Sequence, residues 1–104
     1  MIYDIGLMNF ATEVLQSEKP VLLDFFAEWC APCKILSSEL ESFSKEHEEY
    51  KVCRLDVDKT TELATMYGIM SVPTLLLFKG GKETSRLVGA QVKDAIEKFC
   101  EVNN

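Results

Sequence analysis

Val21-Leu22-Leu23-Asp24-Phe25-Phe26-Ala27-Glu28-Trp29-Cys30-Ala31-Pro32-Cys33-Lys34 is the stretch whose reading decides the fold. Val21 to Phe26 is an apolar run of strand length, rich in residues that pack on a pleated surface and interrupted by one carboxylate, which predicts a central strand. Beyond the cysteines, Ile35, Leu36, Leu40 and Phe43 recur at helical spacing while Glu39, Glu41, Lys45 and Glu46 fill the other face, which predicts an amphipathic helix. The two thiols therefore stand where a buried strand turns into a helix. A helix start carries partial positive charge and unpaired N–H groups, so it favours the thiolate, the species that attacks a disulfide. Cys30 is the candidate nucleophile and Cys33 the candidate resolving thiol. Pro32 suits a first helical turn, where its missing N–H loses nothing, and it stiffens the loop that keeps Cys33 within reach of Cys30.

Metal readings of this pair fail on the rest of the chain. A zinc site normally needs four ligands, usually from a second closely spaced Cys or His pair, and none is present in the sequence. Haem attachment needs a histidine directly after the second cysteine, where Lys34 stands. The chain of 104 residues has room for one domain, spanning 1–104, and 47% hydrophobic with 27% charged residues is ordinary for a globular protein. A net charge of −6 disfavours nucleic acid or an anionic membrane as a partner, and no apolar run approaches spanning length. Met1-Ile2-Tyr3-Asp4 lacks the basic start and long apolar core of a signal peptide, so the expected location is the cytoplasm. Four cysteines do not suggest a secreted framework, because Cys30 and Cys33 are too close to staple a useful loop.

Taken in order, Ile2 to Ile5 reads as a first strand, followed by a helix marked by Phe10, Ala11, Val14 and Leu15 with Asn9 as its cap. Ser17 to Pro20 breaks it. The acidic stretch around His47, the single histidine, ends the cysteine-bearing helix as a solvated patch, and a surface role is expected for His47. Val52 to Val57 alternates as a strand, expected parallel to the central one because a long helix connects them. Asp58 to Tyr67 gives a short helix with Leu63, Ala64 and Tyr67 inward, ended by Gly68. Thr74 to Phe78, a Lys79-Gly80-Gly81-Lys82 turn and Thr84 to Val88 read as an antiparallel hairpin. A last helix follows with Val92, Ala95, Ile96 and Phe99 as its buried stripe. Cys53 is expected to be buried in its strand, while Cys100 lies at the edge of the last stripe, where exposure would open it to oxidation or intermolecular pairing.

Asp24, the Phe25-Phe26-Ala27-Glu28-Trp29-Cys30 run, Pro32-Cys33-Lys34 and Val72-Pro73-Thr74 together resemble the thioredoxin family over nearly the whole chain. The resemblance implies an α/β fold: a three-layer sandwich whose central mixed five-stranded sheet is flanked by four helices. It implies a protein-disulfide reductase, monomeric, with no bound cofactor. Electrons would come from a thioredoxin reductase and pass to clients such as ribonucleotide reductase, peroxiredoxin and methionine sulfoxide reductase. It also assigns roles. Asp24, a carboxylate in an apolar strand where ionisation is costly, would exchange a proton with Cys33; a buried acid kept for fold specificity is the plainer reading. Pro73 would follow a cis peptide bond and pack on the cysteines, leaving the Val72 backbone free to pair with an extended substrate, though a proline also suits an ordinary strand start. Trp29, Ala31, Val72, Pro73, Gly89 and Ala90 would form the docking surface.

Four residues depart from the family's usual pattern: Ala31 for a glycine between the cysteines, Ser38 for a helix-kinking proline, Arg54 for a lysine beside the buried acid, and Ser71 for a glycine before the proline loop. They leave room for a thioredoxin-like protein dedicated to one pathway, or for a non-catalytic binding module on the same scaffold.

Overall fold

The computed structural model describes residues 1–103. Its centre is the strand predicted from the apolar run: β2 (Val21–Phe26) has all six residues buried, because helices cover both faces of the sheet at this point. The sheet has five strands in the order β1-β3-β2-β4-β5, with β1 (Ile2–Ile5), β3 (Lys51–Asp56), β4 (Thr74–Lys79) and β5 (Lys82–Val88) around it. β1 and β2 both pair with β3 in parallel; β4 runs antiparallel to β2, and β5 antiparallel to β4. The mixed sheet and its four helical segments make the three-layer α/β architecture expected for the thioredoxin fold.

Side chains alternate along the strands and so divide the core in two. On one face Leu22, Val52, Leu75 and Leu77 meet Leu36, Leu40 and Phe43 of α1 (Ala31–Glu46) and Ile96, Phe99 and Cys100 of α3 (Lys93–Val102). On the other, Leu23, Phe25, Cys53, Leu55, Leu76 and Phe78 are covered by Phe10, Val14 and Leu63. Leu63 belongs to α2 (Thr61–Met66), shorter than the sequence suggests, and Gly68 follows it at φ +63°.

Helix phase corrects two expected core residues. Ile35 is exposed, because Cys33, Leu36, Leu40 and Phe43 already define the inward stripe of α1 and the neighbour of Leu36 points about 100° away. Val92 precedes the first turn of α3 in extended conformation and is exposed, while Cys100, four residues after Ile96, continues the stripe and is buried. The helix predicted around Phe10 is a five-residue π-helical turn, Ala11–Leu15, in which Gln16 N–H reaches back to Ala11 O. Asn9 does not cap it. Its Oδ1 accepts from Gly6 N–H at 2.8 Å and its Nδ2 donates to Asp4 O at 2.9 Å, so it braces the exit of β1 instead.

The β4–β5 turn is tight because Gly80 and Gly81 both take positive φ, +57° and +81°. A Cβ on Gly81 would stand 2.7 Å from Leu15 O, whereas one on Gly80 would meet nothing within 4 Å. Gly81→Ala is therefore expected to destabilise by about 2 kcal/mol or more and Gly80→Ala by about 1 kcal/mol, since only the first adds a clash to the left-handed strain. Denaturant melts of the two variants check this, and equal losses would show that the hairpin's approach to Leu15 is not tight.

Candidate active site

Cys30 takes extended dihedrals (φ −96°, ψ 110°) as the residue that caps α1, and its Sγ accepts a hydrogen bond from Cys33 N–H at 3.2 Å. A sulfur thus does the work that a serine or aspartate oxygen does at other helix starts, and it lies at the positive end of a 16-residue helix. Cys30 and Cys33 are joined as a disulfide with Cα atoms 5.3 Å apart. Ala31 and Pro32 fill the first turn between them, both exposed. No residue other than glycine has positive φ among the described residues, so alanine sits at position 31 without strain. Exposure does not distinguish the two thiols, at 4% for Cys30 and 3% for Cys33. The N–H aimed at Cys30 does.

Two loops close over this pair. The Val72–Pro73 peptide bond is cis, Val72 O stands 3.7 Å from Cys30 Sγ, and Val72 packs against the cluster of Phe26, Ala27, Cys30 and Cys33. The buried Pro73 accepts a bond at its carbonyl from Gly89 N–H at 2.8 Å, which brings Gly89 (φ +96°) and the exposed Ala90 beside the cis loop. Among the described residues, the peptide N–H and C=O of Val72 have no backbone partner. Trp29 is 73% exposed, yet its Nε1 donates to Asp58 Oδ2 at 2.9 Å, which fixes the ring beside the cysteines. Asp58 was not a site candidate in the sequence, since only the fold carries the end of β3 to Trp29. Ile35 and Met70 add exposed apolar surface from positions near Cys33 and Val72 in the chain.

The thioredoxin family model matches residues 3–102 of this chain. The chain belongs to the thioredoxin family. It is 44% identical over 86 residues to a thioredoxin of Alicyclobacillus acidocaldarius, covering 82% of each chain. With a thioredoxin of Mycobacterium tuberculosis it shares 47% over 89 residues, 85% of this chain and 77% of the other. With that of Rickettsia prowazekii it shares 38% over 97 residues, 92% of each. Thioredoxins are disulfide oxidoreductases, and the cysteine pair of this chain supports thiol-disulfide exchange.

In this thioredoxin-family site the buried acid lies within the same face of the sheet as α1. Asp24 is 2% exposed and its Oδ1 has no hydrogen-bond partner. Burial pushes its pKa from 3.8 up to about 7, against an opposing pull from Arg54. Arg54 faces Asp24 in register from β3, with its guanidinium over the Phe26 ring at 4.0 Å from the centroid. A cleft of about 180 Å³ lined by Phe26, Ala27, Glu28, Cys33, Lys34 and Arg54 opens beside Cys33, wide enough for water.

The other thiols are buried away from this site. Desolvation raises Cys53 to about 12 and Cys100 to about 11, which holds both as inert thiols and removes the basis for oxidation or intermolecular pairing at Cys100. His47 is a strut rather than a free surface residue: it stacks on Phe43 at 4.5 Å and its Nε2 lies 2.6 Å from Glu97 Oε2, tying α1 to α3. Glu46, His47 and Glu97 bring possible ligand atoms within 4.8 Å of one another, but Lys93 Nζ already holds Glu46 at 2.6 Å. That grouping is also at the far end of α1, roughly 20 Å from the cysteines by helical rise. No helix among the described residues is long and apolar enough to cross a membrane.

Proposed function

We propose that this chain is a cytoplasmic, monomeric protein-disulfide reductase in which Cys30 attacks and Cys33 resolves. The observation that carries the assignment is the Cys33 N–H donated to Cys30 Sγ at the start of α1. The same contact that caps the helix stabilises a thiolate at Cys30 after reduction. That thiolate attacks one sulfur of a client disulfide, forming a mixed disulfide and releasing the other client sulfur as a thiolate. Cys33 then attacks Cys30 Sγ, closing the intramolecular disulfide and releasing the second client thiol, so the client gains two electrons and the pair loses two. Asp24 accepts the proton that Cys33 gives up, through water that enters from the cleft beside Cys33. Pro32 keeps the two sulfurs close, while Trp29, Ala31, Val72, Pro73, Gly89 and Ala90 receive an extended client segment that pairs with the Val72 peptide, which has no backbone partner among the described residues.

The dithiol itself stores the electrons, so the chemistry calls for no bound cofactor. A thioredoxin reductase restores the dithiol, and ribonucleotide reductase, peroxiredoxin and methionine sulfoxide reductase are the client classes to try first. Insulin reduction with dithiothreitol tests the activity directly: catalysed precipitation is expected, and a rate no faster than dithiothreitol alone would reduce the fold to a binding module. Parallel turnover with NADPH-linked and ferredoxin-linked reductases identifies the donor. Turnover confined to a single client would favour a pathway-dedicated protein.

A further inference from the structure

Adjacent strands place three charged side chains in one row across the sheet. Asp4 on β1 is in register with Arg54 on β3, which is in register with Asp24 on β2. The arginine therefore stands between two carboxylates, one exposed at the sheet edge and one buried beneath α1. It leans to the edge. Arg54 Nε makes an ion-pair contact with Asp4 Oδ1 at 3.6 Å, too long for a hydrogen bond, whereas no ion pair joins Arg54 to Asp24 among the described residues, and neither Arg54 Nε nor Asp24 Oδ1 has a hydrogen-bond partner. Phe26 fixes the guanidinium plane from below, which leaves the choice of carboxylate to charge.

We propose that Asp4 is a positioning residue for thiol-disulfide exchange: it draws the Arg54 guanidinium toward the sheet edge and so keeps it from pairing with the Asp24 carboxyl. The functional weight of this rests on Asp24 as the proton acceptor. An arginine cannot give up its charge, so in this chain a direct Arg54–Asp24 pair would hold Asp24 ionised and weaken it as a base. An exposed ion pair adds little stability, but here it need only bias one side chain between two positions. The other charged groups around the row are Glu28 and Lys34 in the cleft beside Cys33, and Asp56 and Lys59 in the cleft beside Asp4. None of them forms a hydrogen bond or ion pair with Arg54 among the described residues. From β4 the facing residue is Leu75, which is apolar.

The test follows the Asp24 carboxyl by NMR of protein carrying labelled aspartate, titrated in the reduced form. Asp4 is 91% exposed, so Asp4→Asn leaves the fold intact. Its Asp24 midpoint is expected to fall by about one pH unit as Arg54 swings inward, with Asp4→Glu restoring it. The same substitution in an Arg54→Met protein is expected to leave the midpoint where Arg54→Met alone puts it. An unmoved midpoint in Asp4→Asn overturns the proposal, and so does an equal fall without Arg54, which would mean direct repulsion between the carboxylates. Resolution of a preformed mixed disulfide gives the separate readout. Its pH midpoint should move down with the carboxyl; a rate profile that stays fixed while the carboxyl moves supports the hold of Asp4 on Arg54 and rejects Asp24 as proton acceptor.

Discussion

Cys33→Ser protein mixed with an oxidised client is expected to accumulate a covalent mixed disulfide through Cys30, while Cys30→Ser protein captures nothing and loses reductase activity entirely. The asymmetry follows from position: Cys30 Sγ is the helix-capping sulfur that receives the Cys33 N–H, whereas Cys33 lies within the first turn with no such donor on its sulfur among the described residues. A serine at 33 still presents its backbone N–H to Cys30, so the thiolate is kept and only resolution fails. Non-reducing gels of both variants against one client measure this. Equal trapping by the two would overturn the assignment of roles. Cys53 and Cys100 contribute no background, because burial holds both as protonated thiols at neutral pH.

Asp24→Asn is expected to slow resolution of the mixed disulfide roughly 10²-fold at neutral pH, the lower range for loss of a positioned proton acceptor. Stability is expected to change in the opposite direction, with a pH dependence fixed by sign. The Asp24 pKa rises from 3.8 to about 7 on folding, so below about pH 4 the group is protonated in both states and exerts no pH-dependent effect. Between those values the unfolded chain sheds its proton while the folded protein keeps it, and wild type loses stability steadily. Above about pH 7 both forms are ionised and the penalty levels off at roughly 4 kcal/mol. The buried asparagine amide adds a cost of its own, which does not vary with pH. The difference between variant and wild type should therefore grow by that amount from pH 4 to pH 7 in denaturant melts. A difference that stays flat would show that Asp24 is not held neutral by burial.

What the sequence made legible was what local pattern can carry. β2 and α1 read directly because an apolar run and a helical stripe each need only their own residues, and the cysteine pair fell at their junction. The β4–β5 hairpin read from its two glycines. Ile35 and Val92 were misplaced because an apolar residue beside a stripe or just before a helix counts toward the pattern without facing inward. Asn9 was expected to cap forward, yet it bonds back to Gly6 and Asp4, a choice set by how the chain leaves β1. Trp29 and Val72 were visible as candidates, but the Asp58 carboxylate that fixes the indole became visible only once β3 was placed. The Asp4, Arg54, Asp24 row depends on the register between strands far apart in sequence, which no local spacing encodes.

The most direct measurement is to mix fully reduced wild-type protein with a limiting disulfide-linked peptide, quench with acid within the first turnover, and locate the captured peptide by tandem mass spectrometry. Cleavage along Cys30-Ala31-Pro32-Cys33 separates the two sulfurs. Peptide carried by Cys30 alone is the expected result, and peptide carried first by Cys33, Cys53 or Cys100 would contradict exchange led by the sulfur that caps α1.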